Sequence, residues 1–216
     1  MAPSDWSSIL QNRILAVTAI FALLLKLPDF LHYIPSLLDC LSRKRGSLEV
    51  EHNLRIARSR NLLSVIFLIP LCLVYDRFGI ISYERVDAQW GSLAVLGTMI
   101  IYWILRLAAF ALCQRTAGSR ALRSDEAQAV RFGPLNYLIL LSILLLAAAF
   151  VLNFCKIEGM PCKLTLLCIS GAVYQISFLR TGQILALNCS ALSTILYLCA
   201  LEILPTSLLV AAAVVL

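Results

Sequence analysis

Apolar runs of near membrane-spanning length follow one another along this chain, and they leave it little choice of solvent. Six stand at about 9–25, 61–77, 92–113, 135–154, 164–179 and 190–210. A hydrocarbon layer ~30 Å thick takes ~20 apolar residues of helix to cross. Hydrophobic residues are 61% of the 216 and charged residues 14%, where a soluble domain has about 45–50% and about 25%. No soluble core of this length could hide so much apolar surface. In lipid the backbone must satisfy its own hydrogen bonds, which favours helices. The expectation is an all-α, polytopic transmembrane helix bundle of about six spanning helices, forming a single integral membrane domain over 1–216.

The net charge of +6 would suit a nucleic-acid partner if it were concentrated. Here the basic residues lie between apolar runs, so membrane lipids are the expected partner and no nucleic acid is. Alternating the loops across a bilayer sorts them. Lys26, Arg43, Lys44, Arg45, Arg55, Arg58, Arg60, Arg115, Arg120, Arg123, Arg131 and Arg180 fall on one side, twelve in all. Arg77, Arg85, Lys156 and Lys163 fall on the other, four in all. The positive-inside rule puts the first set in the cytoplasm and both termini outside it. The first run has no basic leader and no small-x-small cleavage site, so it is read as a retained helix.

Between the first two runs, Pro28 and Pro35 frame an apolar face from Phe30 to Leu41 that is too short to span. It is read as an interfacial helix. Leu48–Arg60 follows, with Glu51 and Arg55 at the favourable i,i+4 spacing. Arg55, Arg58 and Arg60 either hold an anionic headgroup or phosphorylated ligand, or simply anchor the positive side. Pro70 is expected to kink the second span. Gln114–Gly133 reads as a polar loop and Gln183–Asn188 as a short connector. In the fifth run, Gly171 and Ala172 suit close packing, and Tyr174 and Gln175 suit interhelical hydrogen bonds.

Eight cysteines are scattered with no C-x-x-C, and there are two histidines. The pattern gives a metal site no support, and no cofactor is expected. Cys155 and Cys162 flank the turn CKIEGMPCK. On an oxidising outer side they could form a disulfide, and otherwise they are two thiols at helix ends.

The last run carries the most chemistry. Within STILYLCALEILPTSLL, Glu202 lies near the middle and Pro205 three residues on. A charge in hydrocarbon costs ~2.5–3.5 kcal/mol on insertion scales, so it turns inward or finds a partner. Pro205 has no N–H, which frees the carbonyl of Leu201. Thr206 and Ser207 bring hydroxyls. Either Glu202 contacts an ion, proton or ligand, or it fixes helix packing. Arg106 is the other strong charge well inside a span, and it either pairs with Glu202 or snorkels to the headgroups.

The string Tyr197-Leu198-Cys199-Ala200-Leu201-Glu202-Ile203-Leu204-Pro205 resembles an uncharacterised polytopic membrane-protein family of Bacteroidetes bacteria, a domain of unknown function. The resemblance implies a bacterial inner-membrane location and no activity. Three functions remain open: a non-enzymatic transporter-like or accessory subunit, a lipid-headgroup-modifying enzyme at the cytoplasmic interface, and a structural or assembly partner of other membrane-protein subunits. No catalytic constellation stands out among the residues.

The topology is tested by cysteine accessibility. Labels at Ser47 and Ser119 are expected to react only from the cytoplasm, and reaction from outside at either position would reverse the orientation.

Overall fold

A computed structural model describes residue 6 and residues 9–43, 46–81, 88–117, 122, 124–157, 159–188 and 191–207. Among them the secondary structure is helical throughout, with no strand. Helix α1 is Leu10–Leu25, α2 Leu27–Ser42, α3 Gly46–His52 and α4 Leu54–Arg77. Then come α5 Gly91–Ala117, α6 Ser124–Phe132, α7 Pro134–Phe154, α8 Met160–Asn188 and α9 Ala191–Leu198. A π turn over Cys199–Ile203 follows α9.

Among the described residues four stretches are long and apolar enough to cross a membrane: Leu54–Arg77, Gly91–Arg115, Glu126–Phe154 and Met160–Leu187. Helices α1 and α2 would make a fifth together, but they meet at Lys26 with a bend of 75°. Pro28 at the start of α2 suits a new helix better than the continuation of an old one. The last apolar helix is shorter, Thr194–Ser207, and residues 190 and 208–210 of the sixth expected run lie outside the described residues, as does Ser119.

The second span is longer than its apolar run. Asn53 caps α4, accepting from the backbone N–H groups of Arg55 (3.2 Å) and Ile56 (3.3 Å). Pro70 sits within α4 and opens a backbone carbonyl in the preceding turn. Ser142 of α7 donates to the Phe67 carbonyl in that turn (2.8 Å). The expected connector Gln183–Asn188 is instead the last part of α8, because Ile184 and Leu185 turn into a core with Phe110, Val130 and Leu201. The expected loop Gln114–Gly133 contains α6, whose Ala129 and Val130 are buried in the same core. Gly171 and Ala172 do not form a close helix contact. Both are exposed, and a Cβ on Gly171 would meet nothing within 4 Å.

Polar contacts define two ends. At one, the Asp76 carboxylate at the foot of α4 accepts from Trp6 Nε1 (2.6 Å) and from Ser92 Oγ (2.5 Å) at the start of α5. A carboxylate suits a helix N-terminus. Cys162 and Leu166 of α8 pack there with Tyr75, Val95 and Leu152. The other end is rich in arginine. There Arg180 of α8 donates to the Leu41 carbonyl at the end of α2 (2.6 Å), and Tyr33 donates to Asn136 Oδ1 (2.6 Å).

Gly46 fixes how α3 leaves α2. A Cβ there would run into the Asp39 carbonyl and the Cys40 backbone. These are backbone atoms and cannot rotate away. Gly46→Ala is expected to destabilise the protein by about 1–3 kcal/mol, the cost of overpacking, read as a lower thermal unfolding midpoint in detergent.

Candidate functional site

Among the described residues two arginines are buried in the arginine-rich half, and each dictates what surrounds it. Arg106 on α5 is 1% exposed and Glu202 in the π turn is 2% exposed. Arg106 Nη2 donates to Glu202 Oε1 at 2.9 Å and to the Val130 carbonyl at 3.3 Å, and Nη1 donates to the Arg131 carbonyl at 3.0 Å. Val130 and Arg131 belong to the last turn of α6, where carbonyls lack helical partners. A cation is favoured at that end. Arg106 therefore joins α5, the end of α6 and the C-terminal segment in one site. Its guanidinium also lies over the Trp103 ring, 5.6 Å from the centroid.

Pro205 has the expected kind of effect one residue away from the expected place. The turn before it widens, and the Leu204 N–H bonds the Cys199 carbonyl five residues back. The hydroxyls gather on the Glu202 carbonyl, not on that of Leu201. Thr206 Oγ1 donates to it, and so does Tyr174 OH at 3.2 Å. Thr206 also reaches the Ile203 carbonyl at 3.0 Å. π turns are uncommon and recur at functional sites. Here the turn presents a carboxylate and spare backbone acceptors to α5 and α8. Gln175, beside Tyr174, is exposed and takes no part.

The second buried arginine is Arg60 of α4, 0% exposed. It forms an ion pair with Glu51 of α3 through Nη1. It also donates to Asn61 Oδ1 from Nε (3.1 Å) and Nη2 (3.0 Å), and it lies over the Phe132 ring at the end of α6. The headgroup trio expected over Arg55, Arg58 and Arg60 is thus divided. Arg55 and Arg58 are exposed, while Arg60 faces inward and its charge is spent on Glu51. Asn53 starts a new helix between Glu51 and Arg55, so the expected i,i+4 relation is lost.

Cys155 and Cys162 are not joined. Cys155 is exposed at the end of α7, whereas Cys162 is buried in the first turn of α8 against the core, and neither forms a disulfide. Among the described residues no group of three or more His, Cys, Asp or Glu is placed to hold a metal ion.

No family model, curated protein or solved structure matches this chain.

The sequence also left one polar cluster unread. Tyr33, Cys40 and Asn136 meet where α2 packs on α7, with Asn136 Nδ2 donating to Cys40 Sγ at 3.3 Å. Their side chains are uncharged, and nothing in local spacing links residues about a hundred positions apart.

Glu202→Leu leaves Arg106 buried without its carboxylate and is expected to cost about 3–5 kcal/mol. Arg106→Met should cost more, because it also strips the Val130 and Arg131 carbonyls. The double variant should recover part of the loss, since an apolar pair orphans no charge. Denaturation in detergent measures all three. A double variant whose loss equals the sum of the two single losses would mean that the two side chains are not energetically coupled.

Proposed function

We propose that this protein is a non-enzymatic integral membrane protein, a transporter-like or accessory subunit of the bacterial inner membrane, in which the segment around Glu202 is the working element. The observation that carries this reading is a buried carboxylate on a broken turn, held by a buried arginine. Intramembrane ionisable residues most often mark an ion, proton or substrate path, or a contact between subunits. Interrupted helices that offer side-chain charge together with free backbone groups are a recurrent transporter device. The inner-membrane location rests on the resemblance of the YLCALEILP string, and the orientation with both termini outside the cytoplasm rests on the twelve-to-four division of basic residues.

An enzyme acting on lipid headgroups has weaker support. It would need a phosphate-holding cluster beside a nucleophile or a general base. Arg55 and Arg58 are exposed, but Arg60 is committed to Glu51.

The test purifies the full chain from its native membrane with lipids retained, then reconstitutes it in phospholipid vesicles. A stoichiometric membrane-protein partner is the expected result for an accessory subunit. Proton or solute movement that Glu202→Gln abolishes, with folding intact, is the expected result for a transporter-like protein. Turnover of phospholipid headgroups in the same vesicles, unaffected by Glu202→Gln, would overturn the reading.

A further inference from the structure

Helix α5 and the C-terminal segment run against each other with a regular register. Arg106 meets Glu202, Phe110 packs in one cluster with Tyr197 and Leu201, and Tyr197 OH donates to the Cys113 carbonyl at 3.4 Å. Gln114 and Thr194 continue the two rows toward the arginine-rich end.

This apolar-looking seam carries unmet polar atoms. Among the described residues, five buried side-chain polar atoms have no hydrogen-bond partner in the protein. Three of them belong to the two rows of this seam: Arg106 Nε, Gln114 Nε2 and Thr194 Oγ1. The ion pair itself is incomplete. Arginine and a carboxylate can engage through two parallel N–H···O bonds, yet here Nη2 and Oε1 make the only direct one. That leaves Nε–H as a donor in the buried site, while Nη1 and Nη2 are held by the α6 carbonyls as well as by Glu202.

Buried polar groups are nearly always satisfied, and an unmet one bears its full desolvation cost. The three atoms share a chemistry. Two are N–H donors and one is a hydroxyl, so each is met by a small molecule that accepts a hydrogen bond and can also give one. Water is the smallest such molecule, and it bridges buried polar groups at little cost. Gln114 and Thr194 lie toward the arginine-rich end of their helices and Arg106 lies deeper, so the three form a succession and not a single pocket.

We propose that the seam between α5 and the C-terminal segment is an aqueous path, entered from the arginine-rich end, that reaches the Arg106–Glu202 pair. The path goes beyond the proposed function, which stands or falls on a partner or on solute movement whatever the seam contains.

Site-resolved labelling of the full chain in vesicles tests it, with a small hydrophilic anionic methanethiosulfonate as the probe. The thiolate, which forms in water and not in hydrocarbon, attacks the sulfenyl sulfur of such a reagent and displaces methanesulfinate, leaving a mixed disulfide. Phe110→Cys and Leu201→Cys line the seam. Ile104→Cys and Ile203→Cys lie at similar depth and face outward, where Ile104 and Ile203 are exposed apolar side chains. The seam positions are expected to react at least ~10-fold faster than the outward ones, the change in thiolate made by one unit of thiol pKa. Equally slow reaction at all four would overturn the path.

A second measurement covers seam variants that fail to fold. Thr194→Val keeps the shape and removes one unmet hydroxyl. In a dry seam it raises the thermal unfolding midpoint, which overturns the proposal. In a hydrated seam it leaves the midpoint unchanged or lowers it, which is the expected result.

Discussion

A buried guanidinium sets the terms for everything around it, because it carries five N–H donors and a charge it cannot shed. Among the described residues this bundle buries two, Arg60 and Arg106. Each has taken a carboxylate from another element, Glu51 of α3 in one case and Glu202 of the π turn in the other. Each has also drawn in uncharged acceptors, the Asn61 side chain or the end carbonyls of α6. A buried pair need not stabilise a fold beyond what an apolar pair of the same shape would do. What it does is make separation costly, since either charge left alone would be an orphan. The short elements α3, α6 and the π turn are held at the arginine-rich end on those terms.

Helix α6 lies between the two pairs and has a part in both. Its last carbonyls accept from Arg106, while the Phe132 ring lies within cation–π reach of Arg60 and of Arg131. Nine residues would make a marginal helix in isolation. This one is stabilised by Ala129 and Val130 in the core and by cationic contacts at the end where the helix dipole welcomes them. One short helix thus touches both buried pairs.

The helical class was legible in the sequence because composition alone dictates it, and the pairing of Arg106 with Glu202 was one of the two readings the sequence left open, because strong charges inside apolar runs have few places to go. The same reasoning missed Arg60. It lies beside an apolar run and not within it, so it looked like one more surface cation. Its partner was assigned by a local rule linking Glu51 to Arg55, and that rule presumes one continuous helix. Asn53 ends that continuity by capping α4. Helix α6 and the last turns of α8 were missed for a related reason. Helix α6 is polar enough to read as loop, the last turns of α8 follow the polar break Arg180-Thr181-Gly182, and the buried faces of both are short. Ala129 with Val130, and Ile184 with Leu185, are adjacent pairs that only tertiary packing turns inward. The Tyr33–Asn136–Cys40 cluster leaves no trace in spacing at all.

The π turn explains how Glu202 comes to face Arg106. In a regular α-helix, Tyr197, Leu201 and Pro205 lie on one stripe, four residues apart. All three are buried, so that stripe alone already fills the face that the last helix turns inward. Residue 202 lies about 100° round from 201 in such a helix, toward its flank. Yet Leu201 and Glu202 are both almost wholly buried. The wider turn over Cys199–Ile203 takes in one more residue per turn, which lets two neighbours share the inward face. Pro205 favours that widening because it cannot donate the bond that a regular helix would ask of it. Thr206 and Tyr174 then meet the Glu202 carbonyl that the widened turn leaves short. The carboxylate, the proline and the hydroxyls thus form one device. The proline changes the turn, the turn aims the carboxylate, and Arg106 holds it on the axis of α5.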